Sequence, residues 1–152
     1  MKKIILCGTL ILAGLSVQAE EIKDKDVPPA VKQKFVSLYP KVSEVEWELE
    51  NGAYEAQFKE NKVEIEVLFT KEGKLIQTET ELKSISELPQ AVQASLKKDF
   101  SNYEYDEIEK VKLADGTEQY KVDAEMKEKE YELLFDIKGM LISKTENKED
   151  KE

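Results

Sequence analysis

VLFTKEGKLI, residues 67–76, returns at residues 133–142 as LLFDIKGMLI. Extended in both directions the echo keeps its register: Tyr54, Ile65, Val67, Phe69, Gly73 and Leu75 answer to Tyr120, Tyr131, Leu133, Phe135, Gly139 and Leu141 at one constant offset. Upstream, VPPAVKQKFVSLYP (27–40) is repeated as LPQAVQASLKKDFS (88–101), with Pro28 matching Pro89 and Ala30 and Val31 matching Ala91 and Val92. Between these anchors ENGAY (50–54) and ADGTEQY (114–120) differ by two residues, which reads as a change in loop length. A unit this long that occurs twice predicts a duplicated α+β module rather than a solenoid of short repeats.

Each copy opens with a helical pattern. Val27, Val31, Phe35 and Leu38 in the first, and Leu88, Val92, Leu96 and Phe100 in the second, fall three or four residues apart and give each helix one apolar face. Asp26 and Ser86 are the expected N-caps, followed by proline in a position the first turn tolerates. The period then changes to two. Val45, Trp47 and Leu49 alternate with glutamates, Asn51 and Gly52 supply a tight hairpin turn, and Tyr54, Ala56 and Phe58 resume the alternation on the return strand. Val63, Ile65, Val67 and Phe69 mark a third strand, Gly73 a left-handed turn position, and residues 75–80 a fourth. The second copy repeats the plan, with Asp115 and Gly116 in the first turn and Gly139 in the last. The expectation is an α+β chain of two tandem α-β-β-β-β repeats, each a four-stranded antiparallel sheet covered on one face by its helix, with Trp47 and the tyrosines as core or rim. The repeats span 20–80 and 88–145, joined by a polar linker at 81–87 and followed by a charged, disordered tail at 146–152.

The motif L/V-P-x-A-V opening the helix and F-x-x-x-G-x-L-I closing the sheet, both present twice between residues 27 and 145, resembles the PepSY-like family known as β-lactamase-inhibitor-like. That resemblance implies an exported bacterial protein without catalytic residues, whose relatives are linked by name to inhibition of secreted or envelope enzymes. It also implies a sheet and projecting hairpin loops offered to a target, matched here by the charged sheet faces and by the turns at Asn51 and Asp115.

Composition narrows the chemistry. Lys2 and Lys3 precede an apolar run over 4–17 that ends in Val17, Gln18 and Ala19, the pattern of a signal peptide (1–19) cleaved after Ala19. The run is shorter than the roughly 18 to 20 residues needed to cross a bilayer, and Cys7 lies at its start rather than at its end, where a lipid-bearing cysteine would stand. A periplasmic or secreted product beginning at Glu20, with no stable membrane insertion, is expected. Without the leader the chain has no Cys, and it has no His anywhere, which removes disulfides, thiol or imidazole nucleophile-base pairs and ordinary zinc sites. All 23 basic residues are lysines, so the bidentate fork that arginine offers to phosphate is absent as well. The 23 lysines less the two of the leader, against 33 acids, leave −12, which disfavours nucleic acid as a partner.

With Asn51 and Gly52 as a two-residue loop, Glu50 pairs with Ala53 and Leu49 with Tyr54, so Glu48 stands opposite Glu55. Glu46, Glu64 and Glu66 share that outward, solvated face, and in the second copy Lys110, Lys112 and Lys121 mix with Asp123, Glu130 and Glu132. The candidate partner-binding residues are therefore Glu46, Glu48, Glu55, Glu64 and Glu66, with Asn51 and Asp115 at the hairpin tips. A protein partner with a cationic surface is the leading expectation. The alternative is a carrier or buffer of cationic ligands or calcium, although ADGTEQ and DIKGM lack the D-x-D-x-D-G spacing of a calcium loop, and neither a cofactor nor a dedicated metal site is expected. Glycosidase-like chemistry requires a cleft holding two acids about 5 to 10 Å apart. A small sheet-and-helix module offers a surface more readily than such a cleft, so an enzyme is not expected.

Overall fold

The computed structural model describes residues 20–147; the expected leader and the final residues 148–152 lie outside the described residues. The chain divides into two compact units, Met1–Gln77 and Thr78–Glu152. The described residues are α+β, with two α-helices and antiparallel strands that follow one another in chain order.

In the first unit β1 (Glu20–Ile22) precedes α1 (Pro29–Leu38), β2 (Glu46–Glu50), β3 (Ala53–Glu60), β4 (Val63–Phe69) and β5 (Leu75–Glu81), the last crossing into the second unit. The unit closes around Val31 and Phe35 of α1, which pack with Val27 on Trp47, Ala56, Phe58, Val67 and Phe69. Phe35 lies edge-on to Trp47 and Phe58, at 5.3 and 5.4 Å between ring centres. Burying each such side chain stabilises the unit by about 1.5–3 kcal/mol, which is why a helix of ten residues holds its place. Leu38, expected on the buried stripe, is 40 % exposed. The helix ends there, and Tyr39 packs instead against Phe58, tilted at 59° with 4.7 Å between ring centres.

The second unit has α2 (Gln90–Asp99), β6 (Glu104–Leu113), β7 (Glu118–Met126), β8 (Lys129–Asp136) and β9 (Leu141–Asn147). Leu88, Val92, Leu96 and Phe100 all bury, against Ile108, Tyr120, Val122, Ala124, Leu133 and Phe135. Tyr105 donates its hydroxyl to the carbonyl oxygens of Leu96 (3.3 Å) and Phe100 (2.8 Å), a second donor at the end of α2 beside the backbone N–H groups of Phe100 and Tyr103 that those oxygens already accept.

Neither expected N-cap forms. Asp26 and Ser86 sit in short 3-10 turns, Asp24–Asp26 and Ile85–Glu87, and the helices are capped by Pro28 and Pro89 without a side-chain hydrogen bond. The cause is the proline, which excludes the residue before it from helical backbone: Val27 and Leu88 are extended and use that conformation to bury.

The echoed glycines are the points where sheet and helix touch. Gly73 has φ +77°, and a Cβ on it would lie 2.5 Å from the Ala30 carbonyl oxygen; Gly139, at φ +79°, would place one 2.3 Å from that of Ala91. Ser95 Oγ donates to the Gly139 carbonyl at 2.6 Å. Both repeats thus seat the helix backbone directly on a glycine turn.

Three further expectations change. β1 is an added strand, paired with β2 at Glu20↔Leu49, Glu21↔Glu48 and Ile22↔Trp47; three residues are too few to show a period. Residues 141–147 form β9, paired with β8 from Phe135↔Leu141 to Glu130↔Asn147, so the charged end up to Asn147 is strand rather than tail. The second β-hairpin is also longer by more than its turn. The turn, 114–117 against 51–52, has the two extra residues expected, but Val122 stands where Ala56 does and pairs with Ile108 where Ala56 pairs with Trp47, so the strands between those pairs and the turn add three more.

Candidate functional site

The register turns one set of side chains in each unit away from its helix. In the first unit Glu21, Glu48, Glu55 and Leu68 form a row across β1, β2, β3 and β4, through the pairs Glu21↔Glu48, Glu48↔Glu55 and Glu55↔Leu68. Glu46, Gln57 and Glu66 form the next row, and Lys59 and Glu64 the one after. The expected opposition of Glu48 and Glu55 is therefore present.

The expected solvation of that face is not. Glu46 is exposed and Glu48 and Glu64 are half-buried, whereas Glu55 is only 1 % exposed and Glu66 and Glu50 are also buried. Alternation assigns a side chain to a face but not to a depth; in interior strands, long neighbours across and along the sheet cover the carboxylates between them. Gln57 donates its amide to Glu55 Oε1 at 2.6 Å, and Lys59 pairs with Glu64 at 3.1 Å. Burial, and after it the charges of Glu21 and Glu46, push the Glu48 carboxyl above its usual range.

Asn51 (φ 51°) and Gly52 (φ 81°) make the two-residue turn at the tip of this hairpin. Asp115 lies in the other unit, exposed, where the backbone N–H of Thr117 donates to its Oδ1 at 2.8 Å and holds its carboxyl below the usual range. The structure thus gathers Glu46, Glu48, Glu55 and Glu66 on adjacent strands of one unit and leaves Asn51 and Asp115 at separate tips.

In the second unit the face away from α2 is organised around a cation. Lys121 stands opposite Glu109, with Nζ 2.6 Å from Glu109 Oε2, and it also donates to Glu79 of β5. All three are buried, as is Glu132, which faces Asp123. Loss of water around Glu109, offset by Lys121 and reinforced by Glu79, pushes its carboxyl up to about 7. Asp123 is pushed up to about 7 as well, chiefly by burial, with Lys121 opposing and Glu132, Glu109 and Glu130 adding to the rise.

Sequence reasoning singled out neither Glu79 nor Glu109, and it placed Lys110 and Lys112 wrongly. Lys110 stands opposite Tyr120 on the helix side and pairs with Glu118 at 2.6 Å, and Lys112 stands opposite Glu118. The reason is a β-bulge between Tyr105 and Ile108: both pack in the core cluster of this unit although they differ in parity, so no single alternation along β6 fits. Ile108, as the counterpart of Trp47, was the signal that would have set the correct parity and brought Glu109 opposite Lys121.

No described helix is long and apolar enough to cross a membrane. The comparison with curated proteins returned no match. Among solved structures the chain is similar to a BLIP-like protein from Bacteroides fragilis NCTC 9343, at 27 % identity over 82 % of this chain and 92 % of that one, with a TM-score of 0.67. It is similar to a DUF2874 family protein from Bacteroides ovatus ATCC 8483, at 25 % identity over 80 % and 89 % of the two chains and a TM-score of 0.71. It shares its fold with a protein described as a "putative periplasmic" one from Bacteroides eggerthii DSM 20697, at 20 % identity, 79 % and 88 % coverage and a TM-score of 0.73. A family model matches twice, over residues 15–77 and 54–143, and with the doubled helix-on-glycine packing in place the chain belongs to the PepSY-like family, described as "putative beta-lactamase-inhibitor-like".

Proposed function

We propose that this chain is a non-enzymatic, exported binding module of two α-β-β-β-β repeats that captures a cationic surface on a protein partner and acts as an inhibitor or regulator of an envelope or secreted enzyme. The observation that carries this reading is the carboxylate row Glu21, Glu48 and Glu55, flanked by exposed Glu46. Like charges directly opposite across strands destabilise a sheet, and the Glu48 carboxyl pKa is raised chiefly by burial, with the charges of Glu21 and Glu46 adding to the rise. A cationic group laid over the row relieves it on binding, so the same residues that weaken the free protein supply recognition and speed encounter. The turn at Asn51 and Gly52 adds a tip to the same hairpin, and the name BLIP-like carried by the Bacteroides fragilis protein fits an inhibitor class.

The test is the double variant Glu46→Gln with Glu48→Gln. It is expected to fold, to gain about 0.5 kcal/mol of stability at neutral pH, and to lose a protein that the wild type captures from a periplasmic extract in a salt-sensitive manner. The captured protein is then identified by mass spectrometry and assayed for inhibition. An unchanged set of captured proteins removes the acidic face from the function.

A further inference from the structure

Three rings of the second unit enclose an ammonium. Phe100 ends α2, Tyr103 lies in the turn that follows, and Tyr131 belongs to β8. Phe100 and Tyr103 meet at 5.3 Å and 71°, Tyr103 and Tyr131 at 5.8 Å and 66°, so Tyr103 stands edge-on to both of the other rings and not stacked on them. Lys144 of β9 places Nζ 4.0 Å from the centre of Tyr131, 4.8 Å from Tyr103 and 5.7 Å from Phe100, and donates to the Tyr103 hydroxyl at 2.6 Å. Negative ring faces on several sides of one point are the geometry that recognises alkylammonium groups.

The fold does not require this box. At the corresponding positions the first repeat carries Tyr39, Val42, Ile65 and Thr78, which cannot enclose a cation, and yet it builds the same helix-on-glycine core. The box is also open on one side. Phe100 is buried, Tyr103 and Tyr131 are half-buried, and Lys144 is exposed on a strand whose side chains are mostly exposed. At its rim Glu146 faces Tyr131 across the strands and is held by Lys129 at 2.9 and 3.1 Å, fixing a carboxylate beside the rings.

We propose that Phe100, Tyr103 and Tyr131 form a binding site for small quaternary ammonium compounds, with Lys144 as the internal group that such a ligand displaces. A primary ammonium is strongly hydrated and gains one hydrogen bond, to Tyr103, when it enters the box. A quaternary head is weakly hydrated, fills the space between the rings with methyl groups and loses less water on entry. Lys144 can swing into solvent without disturbing the core, since its side chain starts from an exposed strand position.

The probe is tetramethylammonium chloride, titrated at constant ionic strength against sodium chloride while the ring signals of Tyr103 and Tyr131 are followed by NMR. The wild type is compared with Lys144→Thr, which installs the residue the first repeat carries as Thr78, and with Tyr131→Leu. Saturable shifts at both tyrosines are expected in Lys144→Thr, with affinity at least tenfold above the wild type, and none at Tyr103 in Tyr131→Leu. Circular dichroism confirms that each variant is folded. The proposal is overturned if folded Lys144→Thr shows no saturable shift, if its affinity equals that of the wild type, or if Tyr131→Leu still binds. Free choline and phosphatidylcholine vesicles as further ligands separate the two sources of such a head: binding of choline alone identifies a soluble compound, and cosedimentation with vesicles a lipid head.

Discussion

Glu55 and Lys121 occupy the same place in the two repeats. Each sits in the returning strand of the first hairpin, turned away from the helix, opposite a leucine on the next strand (Leu68 or Leu134), and 1 % or 4 % exposed. One is a carboxyl facing Glu48; the other is an ammonium facing Glu109. Their neighbours changed with them: Gln57, which donates its amide to Glu55, has Asp123 as its counterpart beside Lys121. The fold therefore asks this position for a long polar chain that its neighbours can satisfy, and leaves the sign of the charge open. The first repeat places an acid there, in a row with Glu21 and Glu48, while the second places a lysine between Glu79 and Glu109.

The contrast is open to direct attack. Lys121→Met leaves Glu79 and Glu109 buried without the ammonium between them and is expected to cost about 4 kcal/mol in urea denaturation, because removing one partner of a buried ion pair strands the other. Glu55→Met relieves the opposition to Glu48 but also takes away the acceptor of the Gln57 amide, and is expected to cost less, about 1–2 kcal/mol. Equal losses would erase the distinction between the repeats.

The shared element should respond alike in both. Gly73→Ala and Gly139→Ala each drive a Cβ into a helix carbonyl and hold alanine at positive φ, so each is expected to cost about 3 kcal/mol. A mild effect in one repeat alone would mean that its helix does not rest on its turn.

Acidity separates the repeats more gently. Glu109 and Asp123 are pushed up to about 7 in the folded protein, above their unfolded values, so the native state holds more protons than the unfolded chain between those limits. Their contribution is fully present below about pH 4 and is lost as pH rises through about 7, an expected fall on the order of 2 kcal/mol after allowing for their coupling. Hydrogen exchange should locate the loss in β6 and β7, and a fall centred on β2 and β3 would contradict the assignment.

The smallest effect lies in a turn. Lys127 and Glu128 join β7 to β8 with φ of 53° and 63°, and Asn61 and Lys62 occupy the corresponding turn of the first repeat. Lys127→Asn combined with Glu128→Gly suits left-handed backbone better and should raise stability by about 1 kcal/mol, measured by thermal melting.

Much of this was legible in the chain. The echo of F-x-x-x-G-x-L-I placed Gly73 and Gly139 at turns, and strict alternation around Asn51 and Gly52 set the register that puts Glu48 against Glu55. The misses have specific causes. β1 is too short to carry a period, the bulge in β6 breaks the alternation that would have placed Lys110 and Glu109, and proline moved the helix starts past Asp26 and Ser86.

By itself the sequence determined the duplication, the helix and strand order, the hairpin register of the first repeat and the chemistry its residue types exclude, because periodicity and turn residues act over a few positions along the chain. Only the tertiary structure decided that Glu55, Glu66 and Lys121 are buried, that Glu79 and Glu109 bracket a lysine, and that Phe100, Tyr103 and Tyr131 close around Lys144. Depth and partnership depend on side chains far apart in sequence meeting across strands, and a local pattern does not encode which of them arrive.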